Sequence, residues 1–220
     1  MESQFVNAGI AALRRIHREN RIAISDKKVR AVLNSSLADI IEHAKRYLEQ
    51  RKFDSFLILF DGHERLAGFT AIERGMTDAE YWMHLGKVWQ GAEVIHPDLK
   101  VWRRLLRSDR GERQLMMLPE EQAVLADLPS ELELFRGFTH HGGENGLSWK
   151  LDVERAKFFA DFANSERRQF LVFAKEGEPM IAQGRCRKSD VLAYFEGRKE
   201  REIVIEPKKV ALKCISPLNS

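Results

Sequence analysis

The stretch Glu131-Leu132-Glu133-Leu134-Phe135-Arg136-Gly137-Phe138-Thr139 alternates polar and apolar residues before it meets an Arg-Gly pair. A period of two marks a strand with one buried face. This strand follows Leu128-Pro129, where the texture of the chain changes. Ahead of that point apolar residues recur at three- and four-residue spacing; beyond it, strand-like segments dominate. We therefore expect an α+β chain with a mainly helical domain over residues 1–125 and a mixed domain over residues 126–220.

Working outward on the carboxy-terminal side, Gly142, Gly143 and Gly146 read as a flexible loop and Leu147 to Leu151 as a second strand. Asp152 caps a helix that carries Ala156, Phe158, Phe159 and Phe162. Gln169 to Ala174 and Met180 to Arg185 read as strands, with Glu176-Gly177 as a turn before the second. Ser189-Asp190 reads as the cap of a short helix through Phe195. Gly197 to Arg201 is a charged loop that feeds a strand, Glu202 to Ile205.

On the amino-terminal side, Phe5, Ala8, Ala11, Leu13 and Ile16 fit an amphipathic helix. Ser25-Asp26 caps a second one, with Val29 to Leu48 at helical spacing and a bend or break expected at Ser35-Ser36. Phe56 to Phe60 and Leu66 to Ile72 form either a hairpin or two buried helix pieces. Thr77-Asp78 caps a helix through Trp89, Pro97 opens one through Leu106, and Pro119-Glu120-Glu121 opens a short one to Leu125. Trp82, Trp89 and Trp102 sit at helical spacing, which favours core packing over a binding platform.

The composition sets bounds on function. The chain has 220 residues, 44% hydrophobic and 31% charged, with a net charge of +3. That is a globular balance, and no apolar run reaches the ~20 residues of a membrane helix. Arg14, Arg15 and Arg18 follow a short apolar stretch, the reverse of a signal peptide, so synthesis and folding in a cytoplasm are expected. A dedicated secretion machine that delivered the protein into a host cell would leave no mark. The charge is evenly spread, so bulk electrostatics do not favour nucleic acid. The cluster Arg103, Arg104, Arg107 and Arg110 reads as a solvated helix face, and a nucleic-acid acceptor stays open. Two cysteines, Cys186 and Cys214, are too few for a disulfide framework. His140-His141 is the only close histidine pair, and adjacent residues seldom face the same way, so no metal is expected.

Three pieces of the second half carry chemistry together. They are Leu134-Phe135-Arg136-Gly137, Gly146-Leu147-Ser148-Trp149-Lys150 and the run from Gly197 to Ile205 that contains Glu200-Arg201-Glu202. In this order they resemble the arginine–serine–glutamate class of ADP-ribosyltransferases, of the bacterial-toxin and phage type. That family has a strand ending in Tyr/Phe-Arg-Gly, often after Leu-Pro. A Ser-Thr-Ser or Ser-Trp-Thr strand start follows, with a helix ending in Phe-Ala, and a Glu-x-Glu comes last. Here the matching residues are Leu128-Pro129, Phe135-Arg136-Gly137, Ser148-Trp149-Lys150, Phe158-Phe159-Ala160 and Glu200-Arg201-Glu202, over about 80 residues, roughly 128–207. The resemblance implies a fold of two packed small β-sheets with helices, and NAD as the substrate that donates ADP-ribose.

The resemblance implies a role for each residue. Arg136 would hold the NAD phosphates or the adjacent ribose, since a guanidinium meets phosphate in a bidentate geometry. As plain structure it would be a strand-end salt bridge. Gly137 would let the backbone approach the nicotinamide amide, or else form a simple bend. Trp149 and Phe159 would line the NAD site, although Phe158 and Phe159 also suit core packing. Glu202 would stabilise the oxocarbenium-like ribose left when neutral nicotinamide departs, a step that needs no general acid. Ser148 would orient Glu202. Glu200 would face the acceptor and favour an arginine, whose charged guanidinium is a poor nucleophile until a carboxylate positions it. Lys150 departs from the family, which shows Thr or Ser there.

Three functions fit these expectations: a mono-ADP-ribosyltransferase acting on a macromolecule, most readily a protein arginine; an NAD glycohydrolase; and a non-enzymatic interaction protein that keeps the fold. The helical half would recognise the target or cover the site.

Overall fold

A computed structural model describes residues 2–21, 27–62, 64–92, 95, 98–139, 142–164 and 177–218. The chain forms two compact units, Met1–Val94 with Gly111–Met116, and Ile95–Arg110 with Met117–Ser220. A single boundary near residue 125 does not describe this division. The segments on either side of 111–116 belong to the second unit.

The first unit is helical: α1 (Glu2–Arg21), α2 (Lys27–Glu49), α3 (Phe53–Leu57), α4 (Arg65–Ile72) and α5 (Asp78–Gln90), with a short 3-10 turn at Arg113–Met116. The α2 helix runs unbroken through Ser35-Ser36; its expected cap, Ser25-Asp26, lies outside the described residues. Phe56 to Phe60 runs from the end of α3 into the turn that follows it, and Leu66 to Ile72 lies in α4, so the two do not form a hairpin. Phe56 and Phe60, four residues apart, meet edge to face with their ring centroids at 5.2 Å. The start of α5 is a capping box. Glu80 N donates to Thr77 Oγ1, and Thr77 N donates to Glu80 Oε2 at 2.8 Å. Phe53, Phe56, Phe69, Trp82, Leu85 and Trp89 are buried and form this unit's interior.

The second unit contains α6 (Leu99–Leu106), α7 (Pro119–Asp127), β1 (Glu131–Phe138), β2 (Ser148–Lys150), α8 (Val153–Asn164), β3 (Met180–Arg187), β4 (Val191–Phe195), β5 (Glu202–Ile205) and β6 (Ala211–Pro217). Pro97, expected to open α6, lies outside the described residues, as do His140-His141 and the expected strand Gln169 to Ala174. Polar side chains tie α6 and α7 to the segments that flank the strands. Arg107 donates to both oxygens of Glu206 at 2.5 and 2.9 Å, and Arg103 Nη2 donates to Asn145 O at 3.1 Å. Glu121 at the start of α7 accepts from Glu196 N at 3.0 Å. The second unit therefore holds these two helices, although their helical texture matches the first.

Among the described residues all the strands pair antiparallel in one sheet of order β4-β5-β2-β1-β3-β6. Those residues form one sheet where two packed sheets were expected. The strand β1 pairs with β3 over its whole length, from Glu131↔Arg187 to Phe138↔Met180, and meets β2 at the one rung Phe135↔Lys150. That rung joins a trio β4-β5-β2 to a trio β1-β3-β6. A second correction concerns Val191 to Phe195, a strand and not a helix. Its β-branched and aromatic residues suit a buried ladder, and it pairs with β5 from Val191↔Ile205 to Phe195↔Glu202. Asp190 does not cap it. That carboxylate instead accepts from Arg187 Nε at 3.0 Å and Lys209 Nζ at 2.9 Å.

Candidate active site

The site is built where the two trios meet. On β2 and β5 the register sets Lys150 opposite Glu202 and Ser148 opposite Val204. Directly opposed residues share a face, and so do residues two apart on one strand. Ser148, Lys150 and Glu202 therefore point to one side, and Trp149 and Ile203 to the other. The Ser148 hydroxyl donates to Glu202 Oε1. Glu202 is 8% exposed within a strand buried along its length. A carboxylate in such a place needs charged or hydrogen-bonding partners, and the hydroxyl is one of them.

Arg136, next to the Phe135↔Lys150 rung on β1, meets the backbone of β2 at Ser148. Its Nε donates to Gly143 O at 2.6 Å and its Nη1 to the carbonyl of Ser148. Burial pulls the guanidinium down to about 10, against the raising influence of Glu202 and Glu144. Gly146 makes this position available, because a Cβ there would lie 2.1 Å from the Arg136 guanidinium carbon. The glycine-rich loop is thus shaped around the arginine. In place of the strand-end salt bridge, Arg136 has a backbone-anchoring role, and it lies within electrostatic reach of Glu202.

Gly137 has a packing reason. A Cβ there would come within 1.9 Å of Ala156 O and 2.6 Å of Ala160 N. Ala156 and Ala160 are small, so α8 lies with its backbone on β1, over a cluster of Ala156, Ala160 and Ile181 with Phe135 packed against it. Asp152 starts that helix as expected, accepting from Glu154 N at 2.8 Å.

Two expected site residues part company. Phe159 of α8 faces the cluster: the Lys150 ammonium stands 4.6 Å from its ring centroid. Trp149 does not. It is 1% exposed, and its Nε1 donates to Gly146 O at 3.0 Å. The alternation of β2 turns Trp149 away from Ser148 and into the interior, so its place among the NAD-lining residues is withdrawn.

Glu200 sits in the loop before β5, and Lys150 Nζ binds it at 2.6 Å while standing 3.7 Å from Glu202 Oε1. The flanking residues Lys199 and Arg201 hold positive φ, 56° and 45°. Neither is glycine, and left-handed backbone costs such residues roughly 1–2 kcal/mol each. The loop is held in this shape by Leu151 N donating to Arg201 O at 3.1 Å and by the Arg201 side chain bonding Tyr194. Tyr194 in turn donates to Glu196; burial first and then this carboxylate push its hydroxyl up to about 12.

No family model, curated protein or solved structure matches this chain.

Lys150 was legible only as a departure from a pattern. The signal that gives it a place is the pair of i, i+2 spacings, Ser148-x-Lys150 and Glu200-x-Glu202, on strands that pair. Among the described residues no three His, Cys, Asp or Glu side chains gather as a metal set would, and no helix is long and apolar enough to cross a membrane. Neither cysteine is in a disulfide: Cys186 is buried, which pushes its thiol up to about 11, and Cys214 is exposed.

Proposed function

We propose that the second unit is an ADP-ribosyltransferase-like domain that binds NAD as substrate and transfers its ADP-ribose to a macromolecular acceptor. The observation that carries this reading is the chain of contacts Arg136–Ser148–Glu202 across three adjacent strands. Residues 12 and 54 positions apart in sequence meet there.

Glu202 has the attributes that the chemistry asks of the ribose-stabilising carboxylate. It is held on a rigid strand, fixed by a hydroxyl, and set where water is scarce. A fixed negative charge in such a place stabilises the oxocarbenium-like ribose more than it stabilises ground-state NAD. The reaction breaks the bond between nicotinamide and ribose C1′. The bonding pair leaves with nicotinamide, which departs neutral, and the acceptor closes on C1′. Arg136 would meet the NAD phosphates or the neighbouring ribose, and Phe159 would flank the nicotinamide.

A second reading, NAD glycohydrolase with water as acceptor, is favoured by the Lys150–Glu200 pair, which occupies the carboxylate expected to receive an arginine. The test is nicotinamide release and label transfer from NAD labelled in its adenylate, with and without cell lysate. Release with lysate-dependent labelling of macromolecules supports the transferase. Release with the label left in free ADP-ribose and none on macromolecules supports the glycohydrolase. The absence of both contradicts the proposal and leaves a non-enzymatic interaction protein.

A further inference from the structure

The Lys150 ammonium lies between two carboxylates and against an aromatic face. It is 2.6 Å from Glu200 Oε2, 3.7 Å from Glu202 Oε1 and 4.6 Å from the Phe159 centroid. Its side chain is 6% exposed and that of Glu200 18%. Two carboxylates and a π face make a receptor for a cation, and the chain fills that receptor itself. From this we infer that Lys150 occupies the position a cationic acceptor would take beside Glu200, so that the acceptor of this chain is an uncharged oxygen nucleophile and not a guanidinium. The inference rests on the transferase reading of the site and replaces its arginine expectation.

The physical argument is one of charge. A guanidinium that bound Glu200 would either displace Lys150 or share the carboxylate with it. Displacement leaves an ammonium to find new partners in a largely dry place. Sharing sets two positive charges a few ångströms apart at the edge of a buried site, where repulsion is poorly screened. A hydroxyl meets neither obstacle, since it brings no charge and needs only an acceptor for its proton. Its oxygen lone pair attacks C1′ as the C1′–N bond breaks. The bonding pair goes to the nicotinamide ring, which loses its positive charge. The hydroxyl proton passes to the Glu200 carboxylate and then to solvent. Lys150 holds Glu200 in the loop, where positive φ on both flanking residues sets its direction.

The test measures guanidinium binding directly, without NAD. Methylguanidinium is titrated by calorimetry into the wild-type chain and into Lys150→Met, Lys150→Gln and Lys150→Arg, each first checked for a cooperative melt. The two neutral variants should bind it about tenfold to a hundredfold more tightly than the wild type, and Lys150→Arg, which keeps a cation, should not. Wild-type binding as tight as that of the folded neutral variants overturns the inference. So does a methylguanidinium–ADP-ribose adduct formed by the wild-type chain, a measurement that needs no variant to fold. If the binding difference is found but no variant or wild type releases nicotinamide from NAD, the transferase reading fails while the exclusion of guanidinium by Lys150 stands.

Discussion

The Ser148 hydroxyl on β2 donates its hydrogen bond to Oε1 of Glu202 on β5, from a side chain two residues along the strand from the rung Lys150↔Glu202. The serine thus acts on the carboxylate from the side and leaves the opposed position to Lys150. Its task is to hold Glu202 in one rotamer.

This gives a first prediction. Ser148→Ala should lower nicotinamide release by about tenfold to a hundredfold, the worth of one hydrogen bond to a charged group. NAD affinity should change little, because the hydroxyl orients Glu202 and does not hold the ground state. Steady-state kinetics check it: a rise in KM with unchanged kcat would show that Ser148 binds substrate and does not position the carboxylate.

A second prediction concerns the anchoring role of Arg136. Its guanidinium holds the carbonyls of Gly143 and Ser148 at once, which a lysine ammonium cannot do in the same geometry. Arg136→Lys should destabilise the second unit by about 1–3 kcal/mol. Gly146→Ala should act through the same contact, because its methyl group needs the space of the guanidinium, and should cost a similar ~1–3 kcal/mol. The double variant should fall well short of the sum of the two. Additive losses in denaturant titration would show that the glycine and the arginine act independently.

A third prediction concerns acid stability and the first unit. The hydrogen bond from Arg51, supported by the Thr77 amide and hydroxyl, holds Glu80 at about 2, below its usual 4.5. A carboxylate depressed in the folded state stabilises above its unfolded value. That stability is lost as the pH falls from about 4.5 toward about 2. Glu80→Gln should therefore lower the unfolding free energy at neutral pH by the worth of a cap and a partly exposed ion pair, about 1–2 kcal/mol, read in thermal melts. The gap between variant and wild type should close through that window. A gap that stays constant from neutral pH down to about 2 would remove Glu80 as a source of acid sensitivity.

How far the sequence disclosed all this depends on how local each cause is. The cap at Thr77 was readable because a cap is a local feature, although its reciprocal partner Glu80, three residues on, was not singled out. The strand β1 was readable from its period, and Gly146 from its loop, although not its service to Arg136. Val191 to Phe195 misled because Ser189-Asp190 looks like a cap; the competing signal, a run of apolar β-formers, becomes decisive only when β5 supplies a partner. The sheet count turned on the single rung Phe135↔Lys150, which no local pattern encodes. The edge strand Ala211–Pro217, exposed over most of its length, went unread because it lacks a buried face. Trp149 was drawn into the candidate site by its neighbours, and strand alternation sends it the other way. Lys150 stood out, but its meaning lies in Glu200, 50 residues later.

The central claim is that Glu202 stabilises the transition state of nicotinamide release from NAD. The most direct measurement compares single-turnover nicotinamide release and NAD affinity for the wild-type chain and Glu202→Gln. The amide keeps the size of the carboxylate and can still bond Ser148, so what is lost is the charge facing the ribose. The account predicts a fall in rate of about 10²–10³ with NAD binding nearly unchanged. Equal rates in the two proteins would contradict it.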